Sequence, residues 1–286
     1  MAIAEPVRQR TRFRLPTVSF GRAAGVDLVG IAVLLLVSLV AITAPWIAPH
    51  ATNESLALGS FHHPTWSAPL GTDDLGRDVL SRVILGIRAS WFAALIVIAS
   101  GVLIGGTIGL VAGAAGGLVD ALLMRITDLF LALPGPLLAL AVVAVIGPSL
   151  RNTLMAVAIV WWPWYARIVR AEVRALAVRP HVDAARLSGA RGARLALRHL
   201  LPGALAPVLV TASLDVGNLV LTLAGLSFLG LGAPPPAPEL GAMAARGLPY
   251  LLEHWWIPVF PALAVFVLAF AANLAGDALQ DMFELS

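Results

Sequence analysis

Apolar residues along the chain are grouped into six long runs, with shorter polar segments between them. A run of about 20 apolar residues is long enough to cross a bilayer as an α-helix. The pattern therefore predicts an all-α membrane protein with six transmembrane helices. The predicted spans are residues 26–48, 91–112, 120–147, 153–168, 204–231 and 255–275.

Polar residues concentrate in three places: the N-terminus, the stretch between the first two spans, and the stretch between the fourth and fifth. Residues 1–25 form a basic tail, and we predict that residues 26–48 are an uncleaved first span because the run is too long for a signal-peptide core. Residues 49–88 are predicted to be an external loop with an amphipathic helix lying on the membrane, which begins near Val79 and is capped by Asp73 or Asp74.

The composition narrows the class of protein further. The chain is 59% hydrophobic and 12% charged, against about 25% charged residues in soluble domains. It has no cysteine and no lysine, so all 19 basic residues are arginines. A phosphate-binding Walker A loop needs a lysine, and so does a pyridoxal enzyme, so neither site is expected. The arginines cluster beside apolar spans, which indicates membrane orientation and no nucleic-acid partner.

The distribution of arginine predicts the topology, because cytoplasmic loops of membrane proteins are enriched in basic residues. Six spans with cytoplasmic N and C termini place five arginines of residues 8–22, Arg125 and eight arginines of residues 167–198 inside. Only five arginines then lie outside, and the opposite orientation would violate the rule. The five are Arg77, Arg82, Arg88, Arg151 and Arg246.

Several features within the spans predict helix packing. Glycines recur at every fourth residue from Gly101 to Gly113, which favours close approach of a second helix. Pro134 and Pro136 predict a kink in the third span. Arg125 and Asp128 are three residues apart, and we expect them to form an ion pair.

The polar segment 181–202 predicts a turn of chain at the membrane surface. A short helix is expected over residues 182–187, after Pro180, and Gly189 allows a sharp change of direction. Arg191, Arg194 and Arg198 follow as a stripe at helical spacing. Pro202 is then expected to open the fifth span.

The same segment resembles the EAA loop of ABC-importer permeases. Asp183-Ala184-Ala185, Gly189 and Leu201-Pro202 stand at the spacing of that loop. Asp183 replaces the usual glutamate and keeps its charge, whereas His199 stands where an isoleucine is usual.

Two further stretches resemble the dipeptide, oligopeptide and nickel branch of these permeases. The first is LGTDDLGRDVLSRVILGIR at residues 70–88, which is the more specific match. The second combines LSFLGLG-x-PPP-x-PE-x-G-x-M with FPALAVF and NLAGDAL in the last third of the chain. The resemblance covers residue 69 to the end.

The resemblance implies a permease of the type I importer (MetI-like) fold, as the C-type second permease. Its core would be residues 89–279, with a coupling loop at residues 181–202 that contacts a cytoplasmic ATPase. The implied partners are a second homologous permease, two ATP-binding subunits, an external substrate-binding protein and the lipid of a bacterial inner membrane. The chain itself would hold no cofactor, and ATP and magnesium would be used by the ATPases.

Asp215 is an aspartate about 16 Å into the fifth span, counting ~1.5 Å per residue from Ala204. A charge at that depth costs on the order of 2.5–3.5 kcal/mol, so we expect it to face water or a partner. Asp215 and Asn218 are candidate residues of the translocation path. The alternative is a structural hydrogen bond between helices.

Two other functional classes remain open at this point. A membrane-embedded enzyme would need paired carboxylates, a Ser/His pair or a metal cluster near the spans, and no such set is visible; His50, His62 and His63 lack ligand spacing. A secondary transporter would need repeated halves and a coupling carboxylate, for which Asp215 is the candidate. Dipeptides, oligopeptides and nickel chelates are all expected substrates of the branch.

Overall fold

The computed structural model describes residues 24–284, which are mostly helical, apart chiefly from the irregular segment 48–78. The predicted basic tail with its arginines at 8–22 lies outside the described residues. A π-helical turn lies at Ala196–Leu200, and a 3-10 turn lies at Leu248–Tyr250. The helices are α1 Ala24–Ile47, α2 Val79–Ala115, α3 Gly117–Leu131, α4 Gly135–Ile146, α5 Leu150–Ala177, α6 Pro180–Leu187, α7 Gly192–Leu195, α8 Leu201–Phe228, α9 Leu240–Gly247 and α10 Trp256–Glu284.

Four of the described helices are long and apolar enough to cross a membrane, or five if α3 and α4 count as one bent span. The four are α1, α2, α8 with the turns before it, and α10. The predicted fourth span, residues 153–168, lies within α5, which does not meet the same measure. Its central tryptophans and the arginines of its second half lower its hydropathy. The total of six spans stays a prediction.

The prediction of a separate amphipathic helix between the first two spans is wrong. Helix α2 begins at Val79 and continues for 37 residues without a break. The segment 79–91 contains no proline, and its single glycine, Gly86, packs against Leu240 instead of breaking the helix. The cap prediction was also wrong, because Asp78 accepts a hydrogen bond from Ser81 N at 2.9 Å and thereby caps α2.

The kink predicted in the third span is confirmed and is stronger than a bend. Helices α3 and α4 meet at 81° across residues 132–134. Pro134 is the N-cap of α4, and Pro136 stands in its first turn, where a missing N–H leaves no bond unmade. The prolines therefore end one helix and start the next.

The four glycines Gly101, Gly105, Gly109 and Gly113, here called the glycine seam, lie directly against α5. A Cβ atom added to Gly109 would stand 2.9 Å from Cβ of Val169, and one added to Gly113 would stand 2.7 Å from Cγ1 of Val173. No real side chain tolerates such distances without movement. The seam therefore lets the two helix backbones approach closely, as the sequence predicted.

We expect Gly109→Ala to weaken the α2–α5 contact, because its methyl group overlaps Val169. Overpacking of this kind costs about 1–3 kcal/mol. Gly106→Ala is the matched control: it adds the same methyl group to the same helix, but the nearest atom, in Val169, is 3.9 Å away. Thermal unfolding of the purified protein in detergent measures both. Equal melting temperatures for the two variants would contradict the role of the seam.

Candidate functional site

Helix α6 carries the residues of the predicted coupling loop, and it has one buried and one exposed face. Pro180 occupies its first turn, as expected from the sequence. Val182 is fully buried and Ala185 is 9% exposed, so these two side chains fix the helix to the body of the protein. Asp183 and Ala184 point to solvent. The sequence pattern thus combines anchoring and exposed positions within one turn.

Gly189 ends α6 through two backbone hydrogen bonds, and these bonds explain why it stands four residues after Ala185. Gly189 has φ of +88°, which is the left-handed region that a residue with a Cβ rarely adopts. Its N–H donates to the carbonyl of Arg186 at 3.0 Å, and Ala190 N–H donates to the carbonyl of Ala185 at 2.9 Å. This pair of bonds is the Schellman motif, which ends a helix with a glycine and a small apolar contact.

The chain returns from this turn to α8 through two short helical pieces. The single arginine stripe predicted from Arg191 onward is interrupted, because α7 gives way to the π-helical turn at Ala196–Leu200. Leu200 is buried, whereas Leu197 is exposed beside the arginines. Leu201 and Pro202 begin α8, with the proline in its first turn, as predicted.

The exposed residues Val178, Asp183, Ala184, Arg186 and Leu187 form what we call the α6 surface. Leu187 is 90% exposed and Val178 is 78% exposed, so both aliphatic side chains are accessible on this surface. Asp183 accepts a hydrogen bond from Arg186 at 2.9 Å and does not cap the helix. The surface therefore presents apolar groups around an exposed ion pair.

The end of the molecule that carries α6, here the α6 end, is tied together by a buried aspartate. Asp120, at the start of α3, accepts hydrogen bonds from Arg170 and Arg174 of α5. Its side chain is 7% exposed, so the two arginines supply the charge that its burial requires. This clamp holds α3 against the part of α5 that leads into α6.

The ion pair predicted between Arg125 and Asp128 is wrong. Asp128 instead accepts a hydrogen bond from Arg167 of α5 at 2.6 Å. Helix α5 carries arginines at 167, 170 and 174 on one face, and this face lies against α3. Asp128 therefore pairs with Arg167 on the neighbouring helix and not with Arg125, which lies three residues before it on the same helix. In the sequence, the signal for this contact was the spacing of the three arginines along one face of α5.

Asp215 lies between α8 and α5 and is 9% exposed. Its Oδ2 accepts hydrogen bonds from Trp161 Nε1 at 2.5 Å and from the Tyr165 hydroxyl at 3.1 Å. Its Oδ1 has no hydrogen bond among the described residues. Asn218, three residues on, is exposed along α8. Asp215 is therefore held by hydrogen-bond donors of α5, whereas the side chain of Asn218 is exposed.

The opposite end of the molecule, here the α9 end, has its own charged cluster. Arg82 is 1% exposed. Its Nη1 donates to the carbonyls of Thr52 at 2.9 Å and Pro236 at 3.2 Å. Asp73 accepts a hydrogen bond from Arg77 at 2.7 Å and lies 3.5 Å from Arg82. Arg82 therefore ties the segment before α2 to the proline-rich loop before α9.

Metal ligands do not converge anywhere in residues 24–284: no group of three or more His, Cys, Asp or Glu side chains stands close enough to hold an ion. His62 and His63 stack on each other. His50 lies 3.5 Å from Asp78.

Comparison with known families gives a match over residues 105–286. The matching family is described as the inner membrane component of binding-protein-dependent transport systems. The matched region contains the last 11 residues of α2 and every helix after it, including the α6 surface and the Asp215 environment.

Similar proteins of assigned function cover most of the chain. The dipeptide transport system permease protein DppC of Haemophilus influenzae is 38% identical over 263 residues, which are 90% of this chain and 89% of that protein. The di/tripeptide permease protein DppC of Pseudomonas aeruginosa is 40% identical over 261 residues, 89% of this chain and 86% of that protein. The glutathione permease protein GsiD of Pectobacterium atrosepticum is 40% identical over 258 residues, with 89% and 85% covered.

Two solved structures share the fold at low sequence identity. A chain of the inward-facing MetNI methionine ABC transporter has a TM-score of 0.57 at 17% identity and covers 72% of this chain and 96% of that one. A chain of an amino acid ABC transporter with histidines has a TM-score of 0.53 at 20% identity, covering 71% and 92%. The helical arrangement is that of ABC-importer permeases.

Proposed function

Because the chain belongs to the family of binding-protein-dependent transport system inner membrane components, we propose that it forms half of a translocation path for small peptides. The protein is an integral membrane protein and the permease subunit of an ABC importer. The observation that carries the peptide proposal is the set of relatives at 38–40% identity over about nine-tenths of the chain, which are named for dipeptide, di/tripeptide and glutathione transport. Nickel chelates are the alternative substrate class of the branch.

The proposed assembly contains a second homologous permease, two ATP-binding subunits and an external substrate-binding protein, in a bacterial inner membrane. ATP and magnesium are used by the ATPases. This division of labour agrees with a chain that has no lysine for a Walker A loop. Six spans with both termini in the cytoplasm place the α6 end inside and the α9 end outside.

The α6 surface is the proposed contact with an ATPase. Its exposed Leu187 and Val178 gain burial on docking, and exposed aliphatic groups that become buried drive such association. The Schellman closure at Gly189 fixes the angle at which α6 leaves the body. The Asp120 clamp and the glycine seam then connect α6, through α5, to the helices of the path.

Helix α8 is the proposed lining of the path. Asn218 is exposed on a mainly apolar helix, and an amide that faces lipid is costly, so a water-filled path or a partner helix suits it better. Asp215 lies one turn away with Oδ1 free of hydrogen bonds. Its proposed role is to attract the cationic amino group of a passing peptide.

The orientation is tested by single cysteines, since the chain has none of its own. We expect a membrane-impermeant maleimide to label Ser60→Cys only from outside and Leu187→Cys only from the cytoplasmic side. Both positions are exposed. The unsubstituted chain is the background control. Labelling of Ser60→Cys from the cytoplasmic side alone would overturn the proposed topology.

The coupling role is tested by Gly189→Val, which places a β-branched residue at a positive φ and costs about 1–3 kcal/mol of backbone strain. A Cβ there meets no atom within 4 Å, so strain is its main effect. We expect the ATPases to copurify less and peptide-stimulated hydrolysis to fall. The matched control is Gly147→Val, since Gly147 has φ of +90° and equally open space but follows α4.

The comparison of Gly189→Val with Gly147→Val decides whether α6 is the contact with the ATPase. Wild-type copurification and hydrolysis in Gly189→Val would show that α6 is not the contact. Equal losses in both variants would show a general effect of strain. Asp183 gives a second measurement: Asp183→Lys reverses the exposed charge beside Arg186 and should weaken assembly more than Asp183→Glu, which keeps it.

The path role of Asp215 is tested by Asp215→Asn, which keeps an acceptor for Trp161 and Tyr165 but removes the charge. We expect slower uptake of peptides with a free amino group, and little change for N-acetylated peptides, at saturating binding protein. Trp161→Phe is the control because it removes one hydrogen bond and leaves the charge. Wild-type uptake of both peptide classes in Asp215→Asn, or equal losses in both variants, would assign Asp215 a structural role.

A further inference from the structure

A half-buried asparagine of α10 carries an amide that has no hydrogen bond in the described chain. The side chain of Asn273 bonds no other residue within 24–284, and neither of its polar atoms is enclosed. The residue lies within the apolar span of α10. Leaving an amide in apolar surroundings without a hydrogen bond is costly. The amide therefore suits a partner that the described chain does not supply.

The amide of Asn273 lies directly on the backbone of α8 at Gly217. A Cβ atom added to Gly217 would stand 2.7 Å from both Nδ2 and Oδ1 of Asn273. Any larger residue at this position would push the amide away, so the glycine leaves the space that the amide occupies. Gly217 stands two residues after Asp215, or ~3 Å along the helix axis. The amide and the carboxylate therefore lie at a similar depth in the membrane.

Three polar residues, Asp215, Asn218 and Asn273, lie across one side of α8, and we call them the polar belt. With 3.6 residues per turn, Asn218 lies between the other two positions, about 60° around the helix from Asp215 and about 100° from Gly217. Asp215 faces α5, whose side chains donate to it, and Gly217 faces α10 through Asn273. The polar belt thus runs from the α5 side of α8 to its α10 side.

The side of α8 that carries the polar belt is open in the described part of the chain. Asn218 is exposed, and Leu221, one turn further on, is 49% exposed. Asp215 Oδ1 has no hydrogen bond and is not enclosed, although the other oxygen is held by α5. One carboxylate oxygen and two amides are therefore accessible to the same ligand.

The spacing of the polar belt matches the start of a peptide chain. Consecutive Cα atoms are about 3.8 Å apart, so the amide of Asn273 lies within about 8 Å of the Cα of Asn218. Side chains three residues apart on a helix, such as Asp215 and Asn218, are about 5–6 Å apart. In an extended peptide, one residue of about 3.3–3.6 Å separates the amino group from the first peptide group. Flexible side chains cover the remaining difference.

We propose that Asn273, together with Asn218, binds the first peptide group of the substrate while Asp215 binds its amino group. The proposal rests on the importer function and the path along α8 proposed above, and it adds which part of the substrate is recognised. An amide side chain has one acceptor and two donors, which match the N–H and C=O of a peptide bond. Small peptides share these groups whatever their side chains, so the polar belt selects peptides as a class.

A thiol beside the polar belt measures the binding directly. The chain has no cysteine of its own. In the complete transporter in detergent, we expect a charged methanethiosulfonate reagent to modify Leu221→Cys, since the reactive thiolate forms in contact with water. Modification of this chain is followed by mass spectrometry. Leu39→Cys is the control: Leu39 is 56% exposed on α1, away from α8, and should stay unmodified.

Protection of Leu221→Cys by substrate shows which group is recognised. We expect alanyl-alanine at millimolar concentration, without binding protein, to slow the modification about fivefold. The ester alanyl-lactate has an oxygen in place of the peptide N–H, and free alanine has no peptide group, so both should protect less. Adding Asn273→Leu, which has nearly the same shape but no amide, should reduce protection by alanyl-alanine to the level of the ester.

Uptake of labelled alanyl-alanine into proteoliposomes tests the same contact during transport. Gly217→Ala forces the amide of Asn273 to move, and we expect uptake to fall about threefold as a hydrogen bond is weakened. The amide is the end of a flexible side chain, so the melting temperature should change little. Gly225→Ala is the matched control, because it adds the same methyl group to α8 where no atom lies within 4 Å.

Four results would overturn the proposal. They are unchanged protection by alanyl-alanine in Asn273→Leu, equal protection by peptide and ester, equal uptake in Gly217→Ala and Gly225→Ala, and a Leu221→Cys that the reagent does not modify. In the last case, loss of the second permease from purified Asn273→Leu would assign the amide to the contact between permeases. If the wild-type transporter takes up no dipeptide, the proposed function itself fails. Normal uptake with any of the four results defeats only this proposal.

Discussion

The structure depends on the close approach of α2 and α5, which is possible only because the glycine seam carries no side chains. Without a hydrophobic driving force between helices in lipid, packing of this kind holds spans together. Helix α5 then serves as a common support. It supplies the arginines that hold α3, the donors that hold Asp215 of α8, and the chain that continues into α6. A change at the seam therefore reaches both the path and the α6 surface.

Buried aspartates joined to two arginines occur at both ends of the molecule. Asp120 contacts Arg170 and Arg174 at the α6 end, and Asp73 contacts Arg77 and lies near Arg82 at the α9 end. The guanidinium group presents several donors in a fixed plane, so one arginine bridges several acceptors, which an ammonium group does poorly. The absence of lysine from the sequence is consistent with charges that act mainly as rigid connectors between helices.

Much of the fold was predictable because apolar runs, prolines and glycines act locally. The kink at Pro134, the turn at Gly189 and the packing of the glycine seam all follow from the backbone limits of these residues. The ion pairs were not predictable from spacing alone, since Asp128 bonds Arg167 on another helix and not the nearby Arg125. Which helices become neighbours decides such pairs. The contacts of Arg82 were not predictable for the same reason, since it bonds the carbonyl of Pro236, which lies 154 positions further along the chain.

The unbroken length of α2 has a mechanical consequence. Its 37 residues make a rod of about 55 Å at ~1.5 Å per residue, against a hydrocarbon core of about 30 Å. One end is fastened through Arg82 to two loops, and the other meets α3 at Gly116 and Gly117, both with positive φ and open surroundings. Between its ends α2 is packed on α5 along the glycine seam, so one continuous helix connects the loops of the α9 end with α3 and α5 at the other end.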